Sequence, residues 1–482
     1  MIEERKFKVF TRASLDSIPQ LGKLSHEQRL AMKAVAHVLP FKVNNYVLNE
    51  LIDWDNVPDD PMFQLTFPQQ GMLGPEDFET IEGMVRRGVP ASELEPEVKR
   101  IQYSLNPHPA GQTSLNVPHE HGHVVPGMQH KYRETVLFFP MAGQTCHAYC
   151  TYCFRWPQFV GLDDMKFASK EVAGLVEYLK QHKEVTSVLF TGGDPMVMRT
   201  ELLRKYIEPL LIPELEHVAS IRIGTKAPAY WPYRFTHGQD ADDLMKLLGE
   251  VRAAGRDCAI MAHYSIQREL ETEVAQLAVK RLRDAGATVR CQAPLIRHVN
   301  DSPDNWANMW RLQIRLGAVP YYMFVERDTG ARGYFEVPLW RAYEIFTEAF
   351  RQVTGLARTV RGPSMSCTPG KVLIDGIAEV HGEKVFVLKF VQAREPAWTN
   401  RVFFARFDPR ATWMDQLRPA FGKAEFFFEP EMRAMRTSGE GRVWLPTEVE
   451  ALEETWRLDI AEPERGLGSN AETGEHERPD PS

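Results

Sequence analysis

The sequence has no excess of positive charge: 57 lysines and arginines stand against 65 aspartates and glutamates, a formal net charge of −8. That balance removes the electrostatic footprint of a nucleic-acid binder. There is no apolar run of about 18 residues, so no membrane-spanning helix is expected. The opening MIEERKFKVFTRASLD lacks the uninterrupted apolar core of a secretory signal. Cysteine is scarce: of six, three crowd between positions 146 and 153, while Cys258, Cys291 and Cys367 stand alone. This is not the spread framework of a secreted disulfide scaffold, so the thiols are expected to stay reduced in a cytoplasmic protein. No internal repeat is present.

What is there changes character along the chain. Residues 1–110 read as an N-terminal helical extension: SHEQRLAMKAVAHVLPF opens on a Ser cap with Gln three residues on, and GPEDFETIEGMVRRG starts at Gly-Pro and stops at Gly. The stretch NPHPAGQTSLNVPHEHGHVVPGMQHKY has no usable period and reads as an ordered loop. From residue 134, apolar runs (TVLFFP, SVLFTGG, SIRIGTK, CAIMAHYS, TVRCQAPLI, VPYYMFV) alternate with helical segments (SKEVAGLVEYLKQH, DADDLMKLLGEVRAAG, EVAQLAVKRLRDAG). Such alternation predicts βα units around a parallel sheet with function at the strands' C-terminal ends. About six repeats predict an α/β fold with a partial, (β/α)6-type barrel across 111–370. After it, EVHGEKVFVLKF and RVFFARFD read as antiparallel strands of a C-terminal α+β segment, 371–460. The end, 461–482, lacks apolar anchors and is expected to be disordered.

The stretch CHAYCTYCFRWPQF places Cys146, Cys150 and Cys153 at C-x3-C-x2-C spacing just after a predicted strand. Three thiolates so spaced can hold one corner of a cubic iron–sulfur cluster and leave one iron open to a small molecule. Structural zinc is the alternative; it wants four closed ligands, and His119, His121, His123 and His130 lie upstream as sources of a fourth.

This spacing, with TGGDP at Thr191 to Pro195, resembles the radical S-adenosylmethionine (SAM) superfamily. Further motifs in one order, LIDWDNVPDDPMFQLTFP, VVPGMQHKYRETVLF, LFTGGDPM, IRIGTKAP, PLIRHVND, VPYYMF and PGKVLIDG, resemble the lysine 2,3-aminomutase family between about residues 50 and 395. The resemblance implies a [4Fe-4S] cluster on the three cysteines, SAM on the open iron with Gly192, Gly193 and Asp194 near its amine, and pyridoxal 5′-phosphate (PLP). It implies that the reduced cluster cleaves SAM to a 5′-deoxyadenosyl radical, and that Lys371 forms the internal aldimine with PLP. Arg155 matches the arginine that grips the substrate α-carboxylate, an interaction suited to a bidentate guanidinium. Lys131 and Tyr132 match PLP-contacting positions, and His263 and Gln292 match positions near SAM or serve as structural core residues.

The departures are as informative. Thr135 stands where a phosphate-binding arginine is expected, and the glycine run before Lys371 is reduced to Pro369-Gly370. Two aspartates hold a lysine substrate's distal ammonium in the family; counted from PYYMF and back from Lys371, those positions are Arg327 and Ser364. Exchanging two anions for a cation and a hydroxyl reverses the preferred side-chain charge. The expected substrate is therefore an acidic or small amino acid, glutamate first. Asp328 lies one residue away, and a register shift by one keeps lysine as an alternative. A PLP-free radical SAM enzyme acting on a peptide, an RNA or a natural product is the other. The resemblance also implies an electron donor such as flavodoxin or ferredoxin. No cysteine follows Cys367, so a homo-oligomer has to be held without the family's C-terminal zinc.

Overall fold

The computed structural model describes residues 6–120, 123–162 and 166–437. The expected disordered tail, the end of the C-terminal segment from 438 and His121 lie outside the described residues.

One eleven-stranded sheet organises the chain. Its strands run in chain order: β1 Met128–Tyr132, β2 Thr135–Phe138, β3 Ser187–Phe190, β4 Ser220–Thr225, β5 Asp257–His263, β6 Thr288–Leu295, β7 Val319–Val325, β8 Arg361–Ser366, β9 Gly370–Val380, β10 Glu383–Ala393 and β11 Val402–Arg406. Strands β2 to β8 are parallel neighbours, with β1 antiparallel at one edge and β9 to β11 antiparallel at the other. The six expected parallel strands are all present, and β8 is a seventh. Its sequence RGPSMS hides it, because Gly-Pro and two serines do not read as a strand. Gly362 is what permits it: a Cβ there would lie 2.7 Å from the Met323 carbonyl of β7.

The parallel strands bury one face fully and the other in part. In β4, Ile221, Ile223 and Thr225 are buried while Arg222 and Gly224, the alternate residues, are less so. The expected helices are present, among them α1 Ala173–Gln181, α2 Gln239–Ala253 and α3 Glu273–Asp284. The sheet is curled, since Lys131 on β1 donates through Nζ to the Cys367 carbonyl just beyond β8. Arg394, after β10, likewise reaches the Leu115 carbonyl ahead of β1 at 3.2 Å.

The N-terminal helices form where their caps predict. Ser25 accepts from the Gln28 amide at 3.1 Å and its own amide donates to the Gln28 side chain at 2.9 Å, a reciprocal capping box opening His26–Val38. The helix Pro75–Arg87 stops at Gly88, whose φ of 65° only glycine adopts freely. This region shares one buried core with the sheet, continuous from Phe10 to Val360. A second core, rich in Phe386, Phe390, Trp398, Phe403 and Phe428, packs β9 to β11 against the residues that follow.

Candidate active site

The three cysteines occupy the loop after β2, and both flanks of that loop are fixed from elsewhere. The N-terminal region clamps it from one side: Tyr149 donates its amide to the Lys42 carbonyl at 2.8 Å, Thr151 to the Leu65 carbonyl at 2.9 Å, and Asn44 Nδ2 to the His147 carbonyl at 3.2 Å. The Gly-Gly-Asp turn after β3 supports it from the other. The Asp194 amide donates to the Gly143 and Thr145 carbonyls at 2.9 and 2.8 Å. A Cβ on Gly193 would sit 2.6 Å from the Thr145 backbone, and one on Gly192, at φ 140°, would strike the Gln144 side chain. The two glycines thus let this turn press against the cysteine loop.

The Asp194 carboxylate is committed within the protein. Its Oδ1 accepts from the Met196 amide at 2.9 Å and the Thr225 hydroxyl at 2.7 Å, and Oδ2 accepts from the Lys226 amide at 2.9 Å. Burial pushes the acid up to about 6, and these donors oppose the rise. Asp194 therefore orders the turn.

Burial raises all three thiols, Cys146 well above its ordinary value and Cys153 to about 12, and neighbouring thiols add to both shifts. The Tyr230 hydroxyl lies 3.2 Å from Cys150 Sγ. Three half-buried thiols on one loop, their ionisation opposed by desolvation, fit a cationic iron cluster, which would hold them as thiolates. A structural zinc would need a fourth ligand beside the three thiols, and the described upstream histidines are placed elsewhere. His130 is engaged by the Tyr178 hydroxyl at 2.6 Å and the Arg133 carbonyl at 3.1 Å. His119 and His123 are exposed on a hairpin of their own. On the neighbouring strands β5 and β6, His263 and Gln292 are register partners joined at 2.8 Å. Burial, then Lys226, lowers His263 to about 3, so the ring is neutral.

Lys371 stands at the start of β9 with its amine inside the curled sheet. Its Nζ lies 4.2 Å from the Tyr322 ring centroid, 5.6 Å from that of Phe324 and 6.0 Å from that of Tyr132, and donates to Gln392 Oε1 at 3.1 Å. Burial lowers this amine to about 7, helped by Arg361 and Arg222. An amine that gives up its proton near pH 7 beside aromatic faces fits a lysine that bonds an aldehyde cofactor with a flat ring. Lys131 and Tyr132 adjoin it on β1. Lys131 is pushed well below its ordinary value by burial and nearby cations, and Tyr132 is raised by burial.

Two further cations face the same interior. Arg155 is buried, its Cζ 4.2 Å from the Phe139 centroid and 5.1 Å from that of Phe154, and its Nε has no partner. Arg327 Cζ is also 5.1 Å from the Phe154 centroid, its Nε is unpartnered too, and Asp328 Oδ1 approaches only to 4.0 Å. Burial lowers Arg155 to about 9, and it lowers Arg327 against the opposing field of Asp328, Tyr132 and Cys367. Ser364 is buried in β8 opposite Phe324 and Leu373, its hydroxyl unpartnered. Cys367, three residues beyond Ser364, is among the groups whose field reaches Arg327, after Asp328 and Tyr132. Tyr322, Gln392, Arg222 and Arg361 are absent from the sequence reading; only alternation along β4 and β7 could have pointed two of them inward.

Above this group lies a cavity of about 470 Å³ between Asp328, Cys367 and Thr368 on one side and Phe426, Glu429 and Met432 on the other. The C-terminal residues thus wall the approach to Cys367.

No family model matches the chain. Among known proteins it is similar to a "Putative L-lysine 2,3-aminomutase" of Aquifex aeolicus, 28% identical over 82% of this chain and 92% of that protein. The L-lysine 2,3-aminomutases of Bacillus subtilis and Acetoanaerobium sticklandii match at 28% and 29% identity, over 48% and 51% of this chain and 46% and 56% of their own lengths. Among solved structures, Streptococcus suis SuiB superposes with a TM-score of 0.32 at 13% identity, over 66% of this chain and 67% of that one. With the three thiols on one clamped loop and Lys371 beside the Tyr322, Phe324 and Tyr132 rings, the comparisons point one way: over 82% of its length this chain is similar to a putative L-lysine 2,3-aminomutase, and over about half of it to L-lysine 2,3-aminomutases.

Proposed function

We propose that this protein moves an amino group from Cα to Cβ of an acidic or small amino acid, glutamate first. The observation that carries the reading is the pair Arg155 and Arg327, two guanidiniums on the ring of Phe154 whose Nε atoms make no hydrogen bond, with Asp328 Oδ1 4.0 Å from that of Arg327. Arg155 would grip the α-carboxylate and Arg327 the side-chain carboxylate. At an effective dielectric of about 20, unit charges 4 Å apart interact by about 4 kcal/mol. That energy favours a dicarboxylate here and opposes a distal ammonium.

The Cβ–H bond is not acidic, so an ordinary base does not suffice. When bound, the cluster and SAM would supply the radical that removes this hydrogen, and PLP the π system across which nitrogen migrates. The chain's own residues hold and align: Cys146, Cys150 and Cys153 the cluster, the Gly192–Gly193 edge with His263 and Gln292 the SAM side, Lys371 with Lys131 and Tyr132 the PLP side. In this reading the curled sheet is a partial (β/α)6-type barrel over 111–370. The helical extension, over its described residues 6–110, closes its cysteine end, and 371–437 completes the PLP side. A flavodoxin or ferredoxin in the cytoplasm would deliver the electron.

Lysine is the second reading, favoured by Asp328, which lines the cavity beside Cys367. The deciding experiment supplies anaerobically reconstituted protein with SAM, PLP and dithionite and offers glutamate, aspartate, alanine and lysine separately. β-Glutamate by mass spectrometry supports the reading, and β-lysine as the sole product overturns the substrate assignment.

A further inference from the structure

The opposite end of the curled sheet carries a charge cluster that this reaction has not used. A pocket of about 390 Å³ opens at the N-terminal ends of the parallel strands, where Thr135, Ser187, Ser220 and Asp257 begin β2 to β5. Arg222 of β4, Arg290 of β6 and Arg361 of β8 converge there around Tyr321. Arg290 Cζ is 5.3 Å and Arg361 Cζ 4.5 Å from the Tyr321 centroid. Arg222 Nε is buried without a partner. The carboxylate in the lining, Asp257, is held by Arg252 at 3.1 Å. Among the described residues no ion pair involves Arg222, Arg290 or Arg361. Arg222 is pushed down by burial and by both other arginines, with Tyr321 and Tyr322 opposing.

We propose that Arg222, Arg290 and Arg361 form a phosphate monoester site that takes the phosphate of PLP, in place of the arginine absent at Thr135. Three guanidiniums in one pocket repel one another, and a dianion with three acceptor oxygens matches their forks and offsets that repulsion. The pocket adjoins Lys371 through one ring: Arg361 Cζ lies 4.3 Å and Lys371 Nζ 4.2 Å from the centroid of Tyr322. PLP bears its aldehyde and its phosphomethyl arm on adjacent ring carbons, so the amine and the phosphate site must lie within one pyridine's breadth of each other. Thr135 lines the pocket as well, so the missing charge and its replacements serve one space. The inference rests on Lys371 as the PLP lysine.

The test compares PLP with pyridoxal, which has the aldehyde and no phosphate. Each is titrated into the full-length protein, fixed by borohydride and located by peptide mass spectrometry. Wild type should capture PLP on Lys371 at far lower concentration than pyridoxal, and inorganic phosphate should compete with PLP. Arg361→Gln and Arg290→Gln should each weaken PLP by about tenfold or more, as loss of a charged hydrogen bond does. Pyridoxal capture should change much less, and Arg290→Lys should recover part of the difference. The ratio of the two ligands is the readout, because removing a cation beside Lys371 alters its reactivity toward both. An unchanged ratio in both Gln variants, with Lys371 still modified, overturns the phosphate site and leaves Lys371 standing. Phosphate that binds without displacing PLP assigns the pocket to a separate phosphate compound and also overturns it. No capture of either aldehyde on Lys371 overturns the parent reading.

Discussion

The amide of Asp194 donates to the carbonyl of Thr145 at 2.8 Å, one residue before the first cysteine of the cluster loop. The contact is possible because Gly193 has no Cβ; an added one would stand 2.6 Å from the Thr145 backbone. Two backbones cannot yield as a flexible side chain can, so the loop itself has to move.

Gly193→Ala should therefore cost about 1–3 kcal/mol, the usual range for forced overpacking, and lower the iron and sulfide retained per chain after reconstitution. Gly174→Ala is the matched control, since its Cβ would meet only Val125 Cγ1 at 3.9 Å. Equal iron content in the two variants would show that the turn does not shape the cysteine loop.

Lys371 gives a pH prediction. Its amine is lowered to about 7, by burial first and then by Arg361 and Arg222. Borohydride-trapped PLP on Lys371 should rise with pH through about 7 and then level off. An exposed lysine would keep gaining until its ordinary value of 10.5. Arg222→Gln should move the midpoint upward, since a neighbouring cation is removed. The stability of the cofactor-free chain should follow the same sign. Between about 7 and 10.5 the unfolded chain holds a proton that the folded chain has lost, so stability rises with pH across that window. Lys371→Met should remove that rise; if a pH scan of unfolding is the same with and without the lysine, the amine titrates normally.

Much of this was legible in the sequence, for reasons that differ by feature. Cys146, Cys150 and Cys153 stand out because their spacing is local in sequence, and the structure keeps them on one loop. The six apolar strands stand out because each is a short apolar run set between helical segments. Arg361, Cys367 and Gln392 do not, because their roles come from which strands a curled sheet brings together. The strand RGPSMS is hidden in the same way: its conformation is imposed by β7 and β9 on residues with little strand preference of their own.

Arg327→Asp tests the substrate argument most directly. In wild type the guanidinium sits buried against Phe154 with its Nε unpartnered, and only Asp328, at 4.0 Å, offsets it. The substitution sets a second carboxylate beside that of Asp328. A glutamate side chain would then meet anions where it had met a cation, and removing one partner of a buried charge pair costs about 2–5 kcal/mol. Turnover of glutamate, as kcat/KM, should fall by at least about 30-fold, and lysine should gain, because the two carboxylates can hold a distal ammonium. The loss should appear mainly in KM, since Arg327 touches the side chain rather than the migrating nitrogen. If Arg327→Asp leaves both the preferred amino acid and its KM unchanged, the side chain is read elsewhere in the 470 Å³ cavity, where Asp328 already faces Cys367.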